Sequence, residues 1–420
     1  GFSTRLVSQR LAPSPSMAMD KEVAADETLV PALSDMPALS LAVDSISAMD
    51  AVFDEAVDDT CTPTLFSKSG VTRAPEGVHF TLQGLEIFIN NVGEALIQGT
   101  QTDFSKPIFL NWGGVVILSD VHAKALQIAA PRIVGIGNST IEELVLEGSA
   151  QDGNSTFVNG GILTAKELFL KNLTSTNNGS ISAPHLLVEG QFKSQGSLTS
   201  DELLVAEDSV LRLDAAATTT LTKVFLGKGG HLENHATAPT AIEVLHSKGG
   251  ILTSHGPLMV TEVAADSAFQ AIYNRHTLSV DLGDIKVQLL ENAGSFTAVT
   301  SALQVLAGRN QHGLKAKALV IDEEFINEAS AGLLTESVSG TGHLHNLGRV
   351  ETVGELTVGV KQFTGKKGLI KAKSITGQDT MLTFANLEDS RIEVAEDISF
   401  APTTKVSHKG ELIAKALHLV

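Results

Sequence analysis

Apolar and polar residues alternate along most of this chain, and three neighbouring stretches repeat one pattern. Gly161-Ile-Leu-Thr-Ala-Lys-Glu-Leu-Phe-Leu170, Gly179-Ser-Ile-Ser-Ala-Pro-His-Leu-Leu-Val188 and Gly196-Ser-Leu-Thr-Ser-Asp-Glu-Leu-Leu-Val205 each begin with glycine. Each then runs as an alternating strand, meets a small residue at the fifth place and continues into an apolar strand. Period-two alternation predicts strands with one face turned inward. A second marker recurs between these phrases: an apolar residue, any residue, then Asn or a small polar residue. It is read at Phe88-Ile-Asn90, Phe109-Leu-Asn111, Ile136-Gly-Asn138, Phe157-Val-Asn159, Thr176-Asn-Asn178, Phe192-Lys-Ser194, Leu232-Glu-Asn234, Leu252-Thr-Ser254, Ile272-Tyr-Asn274, Leu290-Glu-Asn292, Phe325-Ile-Asn327 and Leu344-His-Asn346. Asp214 and Asn310 fill gaps as weaker matches, and Gly365, Asn386 and His408 continue the series. The spacing is about nineteen residues, too short for a helical crossover between parallel strands.

The pattern therefore predicts an all-β fold, a β-solenoid (parallel β-helix) with coils of about nineteen residues over 61–420. A single coil cannot bury its apolar face, so the coils must stack. Gly161, Gly179, Gly196, Gly250, Gly294, Gly313, Gly368 and Gly410 are expected at corners, where a positive φ or close coil contact excludes a Cβ. Asn159, Asn178, Asn234, Asn274, Asn292, Asn310, Asn327 and Asn346 are expected to form a hydrogen-bonded ladder along the rod, although a sugar- or ion-binding ribbon would use the same residue.

The first sixty residues differ. Residues 1–19 carry Arg5 and Arg10 and no acid, whereas acids accumulate from Asp20 to Asp59. Between them and the repeats, Leu39, Val43, Ile46, Met49, Phe53 and Val57 recur at helical spacing, with Asp44, Asp50, Asp54 and Glu55 interspersed. This predicts one amphipathic helix in an N-terminal arm, acting as a cap over the first coil or as a partner-binding element. The chain starts at Gly1, consistent with a processed product, a fragment or part of a longer chain; a transit-like reading of the opening residues is limited by Pro13 and Pro15.

Composition narrows the function. Aromatic residues make up 5% of the chain, so the interior is an aliphatic stack. The single Cys61 excludes an internal disulfide framework, and a net charge of -18 argues against nucleic-acid binding. No apolar run is long enough for a transmembrane helix.

Three acidic groups are candidates for chemistry: Asp281 with Asp284, Asp322 with Glu323 and Glu324, and Glu388 with Asp389. Glycosidic cleavage needs two carboxylates across the bond, but these acids fall at corners or breaks, where solvated carboxylates are ordinary. No catalytic residue is assigned. His343 with His345 and His231 with His235 could each hold two corners of a metal site, but a third ligand at recognisable spacing is missing, and no metal or cofactor is expected. Gly340 and Gly342 lack the lysine and helix of a phosphate loop. Asn138, Asn154, Asn172 and Asn178 stand in Asn-x-Ser/Thr, acceptors only if the chain passes a eukaryotic secretory route.

The phrase Gly-x-Leu-x-Ala-x-x-Leu-x-Val, matched in whole or part at Gly161, Gly179, Gly196, Gly368 and Gly410, resembles the repeats of filamentous haemagglutinin-like bacterial exoproteins and also looks like bactofilin-type coils. The first likeness implies a secreted or surface-exposed adhesin or fibre, and the second a cytoplasmic polymer. The chain has more coils than the second family uses and lacks the secretion-domain signature of the first. The expectation is a non-enzymatic structural or adhesive rod, extracellular or at the cell surface, that forms homo-oligomers or filaments through its ends and arm. A surface glycan or a protein would be its receptor. The competing expectation is a carbohydrate-active β-helix enzyme, a hydrolase or lyase.

Overall fold

A computed structural model describes residues 72–74, 77–90, 92–104, 107–149, 154–214 and 216–419. The chain divides into two units, 1–59 and 60–420, and the described residues belong to the second. The helix expected over 39–57 lies outside the described residues. Within them the structure is all β, with strands joined into one continuous sheet.

The coil is three-sided. One full turn runs through Ser180–Ser182, a corner at Ala183 and Pro184, and then the long strand His185–Ser194, which bends at Gly190 (φ +116°). Each side pairs in parallel with the same side of the next coil: Ile181 opposes Leu163 and Leu198, Leu186 opposes Leu168 and Leu203, and Phe192 opposes Ser175 and Leu211. The third side forms the longest ladder. It passes through Ala95, Val116, Ile133, Phe157, Ser175 and Phe192 and continues to Phe384 and Val406, over about 17 turns. At about 4.8 Å per rung, the stack is about 80 Å long.

Alternation produces the core. Along Ile162–Asn177, Leu163, Ala165, Leu168, Leu170, Leu173, Ser175 and Asn177 are buried in turn. Aliphatic residues from every coil merge into one cluster running from Phe80 to Phe400. Large and small residues complement each other between rungs. Phe325 lies directly above Gly308, where an added Cβ would come within 2.8 Å of the ring. The middle side breaks the alternation. Val145, Phe169, Leu187 and Phe225 point away from the core cluster, yet all are buried, with Phe169 only 5% exposed. Runs such as Leu168-Phe-Leu170 are therefore apolar on both faces, as strands covered on both sides read.

The start of the stack departs from the repeat. Strands β1 (Thr72–Ala74), β2 (Gly77–Leu82), β3 (Leu85–Asn90) and β4 (Ala95–Thr100) form an antiparallel meander, and only β4 pairs in parallel with the next coil. The first three Asn-bearing triplets are thereby reassigned. Asn90 ends an antiparallel strand, and the register places Asn111 and Asn138 on the other two sides, where both are exposed. The reason is local: an isolated apolar-x-Asn triplet fits any strand that ends in a turn, and only the stacking register tells the sides apart.

The corner glycines also divide. At Gly179 an added Cβ would lie 2.0 Å from the Gly161 carbonyl oxygen, and at Gly196 it would lie 1.9 Å from that of Gly179, so each corner glycine sits on the one below. Gly161, Gly294, Gly368 and Gly410 are likewise hemmed in by backbone of the preceding coil. None of these needs a positive φ, so close approach is the reason for glycine. Gly250 stands at the bend of the long strand Thr240–Ser254, in the same register column as Gly190, and an added Cβ there would lie 2.9 Å from the Gly230 carbonyl oxygen. One position is corrected: at Gly313 an added Cβ meets nothing within 4 Å.

Candidate functional site: an internal asparagine ladder and a charged outer face

The last inward position of the long side carries the recurrent polar residue. Asn159 donates to Asn177 Oδ1 (2.9 Å), and Asn177 donates to Ser194 Oγ (3.2 Å). Higher up, Asn274, Asn292, Asn310, Asn327 and Asn346 form an unbroken series at 2.7, 2.7, 2.8 and 2.8 Å. Nδ2 of Asn292, Asn310 and Asn327 also donates to a backbone carbonyl of the next coil, at Gly313, Gly332 and Arg349 respectively. These amides are buried and, up to Asn327, paired with one another and with backbone carbonyls, so no face of this ladder is presented to a sugar or ion. The ladder member is Asn177 and not Asn178, which lies just past the end of the strand and is exposed. At the weak match by Asp214, the inward place is taken by Leu213. Asn234 therefore has no Asn neighbour; it donates to the Pro257 carbonyl (3.1 Å) and accepts from Thr240 Oγ1 (3.1 Å). The series stops above Asn346, whose buried Nδ2 has no partner because Gly365 follows it in the ladder.

Outside the coil, the same side carries a dense charged patch. Asp214 accepts from Lys193 (2.8 Å), Arg212 (2.8 Å) and Gln195 (3.0 Å). Burial raises its pKa, but these hydrogen bonds outweigh it and hold the carboxyl well below the usual carboxylate range. On the next rung Glu233 lies between two histidines, 3.4 Å from His231 Nδ1 and 3.5 Å from His235 Nε2. His235 stacks on His255 of the following coil with ring centroids 4.3 Å apart, and His231 Nε2 lies 2.8 Å from Thr253 Oγ1. Arg275, above His255, pairs with Glu291 (2.9 Å). Spacing along the sequence marks His231 and His235 only as a pair; His255 joins them because one coil returns it directly above.

The acidic groups singled out from the sequence fall apart into separate tasks. Asp284 Oδ1 accepts from the Ala302 backbone N–H, Asp322 accepts from Gln304, and Glu324 lies 3.2 Å from His345. Asp389 has the left-handed backbone of a turn (φ 62°). His343 and His345 lie edge to face, and His345 faces Glu324. No group of three or more His, Cys, Asp or Glu among the described residues could hold a metal ion. Register does bring together one pair of acids that sequence reading missed: Glu143 and Glu167 occupy the same outward place on adjacent coils. Burial, and secondarily the charge of Glu167, push the Glu143 carboxyl up. Their 24-residue separation hides this, because an unusually long coil lies between them.

The described residues thus define a β-solenoid. No protein-family model, curated protein or solved structure matches the chain.

Proposed function

We propose that the chain is a non-enzymatic structural or adhesive rod that assembles end to end. The observation that supports this best is the parallel stack of about 17 turns, whose recurrent asparagines are spent on cohesion inside the coil and not offered outward. Each coil pairs in parallel and in register with the next, so a second copy stacked in the same register would extend the ladder. The resemblance to haemagglutinin-like exoproteins favours a surface or extracellular rod with a glycan or protein receptor; the bactofilin-like resemblance favours a cytoplasmic polymer built on the same contact. Electron micrographs of the purified chain at neutral pH test assembly. Filaments are expected, and persistent monomers would refute assembly.

A second reading has one observation in its favour, the Glu143 and Glu167 pair. Adjacent rungs place the two backbones about 4.8 Å apart, close to the roughly 5–5.5 Å between the carboxyl groups of retaining glycosidases. A raised pKa on one of two carboxyls is the division of labour such a pair requires. Hydrolysis of a polysaccharide panel that is abolished by both Glu143→Gln and Glu167→Gln would establish this reading over the first.

A further inference from the structure

The outer face around Glu233 holds three imidazoles within two coils and only one carboxylate free to serve them. We propose that the His231, Glu233, His235 and His255 cluster is a pH switch: neutral above the imidazole range, and below it a like-charged stack that loosens the contact between two adjacent coils and turns this face cationic.

The charges on this face show why. From the rungs below come Lys193, Arg212 and Asp214, and from those above Arg275 and Glu291. Lys193, Arg212 and Arg275 balance Asp214, Glu233 and Glu291, so with neutral imidazoles these groups carry no net charge. Asp214 is already held by Lys193, Arg212 and Gln195, and Glu291 by Arg275. Only Glu233 remains for the histidines, and it lies between His231 and His235. A proton on His255 would therefore lack a carboxylate and would sit against the His235 ring stacked at 4.3 Å. As the three imidazoles protonate, the patch gains positive charge within a chain whose net charge is -18.

Burial is the first cause that disfavours protonation of both His231 and His255. Glu233 opposes it at both, and His235 adds to it at both. The sign follows from linkage. A histidine whose folded pKa is depressed binds its proton more readily in the unfolded chain, so its contribution is fully present above the unfolded value of about 6.5 and is lost as pH falls through the folded value.

The experiment is a histidine NMR titration of the full chain, with thermal unfolding followed from pH 8 to 5. His255 is expected to titrate below free imidazole, and its midpoint to move upward in His235→Gln, where the stacked partner can no longer charge. The unfolding midpoint of the natural chain should fall with acidification more steeply than that of His255→Gln. A His255 midpoint identical in the natural chain and His235→Gln, or identical pH slopes of unfolding with and without His255, would overturn the switch. If neither variant folds, the natural chain decides alone: His231 and His255 both titrating like free imidazole would equally overturn it.

Discussion

Asn310 shows at the scale of one residue how this fold uses a polar group that most cores avoid. Its Oδ1 accepts from Asn292, and its Nδ2 donates to both Asn327 Oδ1 and the Gly332 carbonyl. A buried amide with every bond made is tolerated, whereas one stripped of partners is expensive. Asn310→Ala strands Asn327 Oδ1 and removes the Asn292 amide's side-chain acceptor. The expected loss is roughly 2–6 kcal/mol, from two buried groups at about 1–3 kcal/mol each, read from the shift of the denaturant unfolding curve. Asn178→Ala, on an outward-facing turn residue, should stay within about 0.5 kcal/mol of the natural chain. Equal costs at the two positions would refute the inward placement of the one and the outward placement of the other. The unpartnered Nδ2 of Asn346 follows the same logic, since Gly365 supplies no acceptor where the next side chain would stand.

At the scale of the element, corners are set by what lies one coil below. Gly179→Ala would drive a methyl against the Gly161 carbonyl, and the rigid ladder on either side leaves little room to shift. Gly313→Ala meets open space at an ordinary φ and should be neutral or slightly stabilising, because alanine reduces the freedom of the unfolded chain. Parallel thermal melts of the two variants check this. A large loss at Gly313 with none at Gly179 would show that the corner stack is wrong. The sequence marked both as the same kind of glycine. The difference is invisible in the chain because it depends on whether the glycine of one coil lies flush against the backbone of its neighbour.

For the molecule as a whole, stability is a sum over neighbouring coils, with each rung resting on two others. Removing 403–420 deletes the last coil and leaves Phe384, Ile392 and Ile398 as the new terminal row. The shortened chain should keep the β-type circular dichroism of the parent and unfold close to its midpoint. A peptide of 343–386, about two coils, should remain unfolded, because two rungs bury each apolar face on one side only. A folded two-coil peptide would show that each coil is stable by itself. The opening meander belongs to the same scale. Antiparallel β1 to β3 continue the sheet past the first parallel rung, so the described stack begins differently from the way it ends.

Period-two alternation and the recurrence of about nineteen residues determined the solenoid and its aliphatic interior, because both follow from how side chains alternate along a strand and how a coil closes on itself. They also marked most members of the ladder, Asn159 and the run from Asn274 to Asn346. Tertiary structure alone decided what depends on register between coils: Asn177 in place of Asn178, the exposed Asn90, Asn111 and Asn138, the meander at the start, and the open space at Gly313. The same holds for the outer face. Glu143 meets Glu167, and His255 meets His235, across 24 and 20 residues of chain, distances that a stacked coil reduces to one rung.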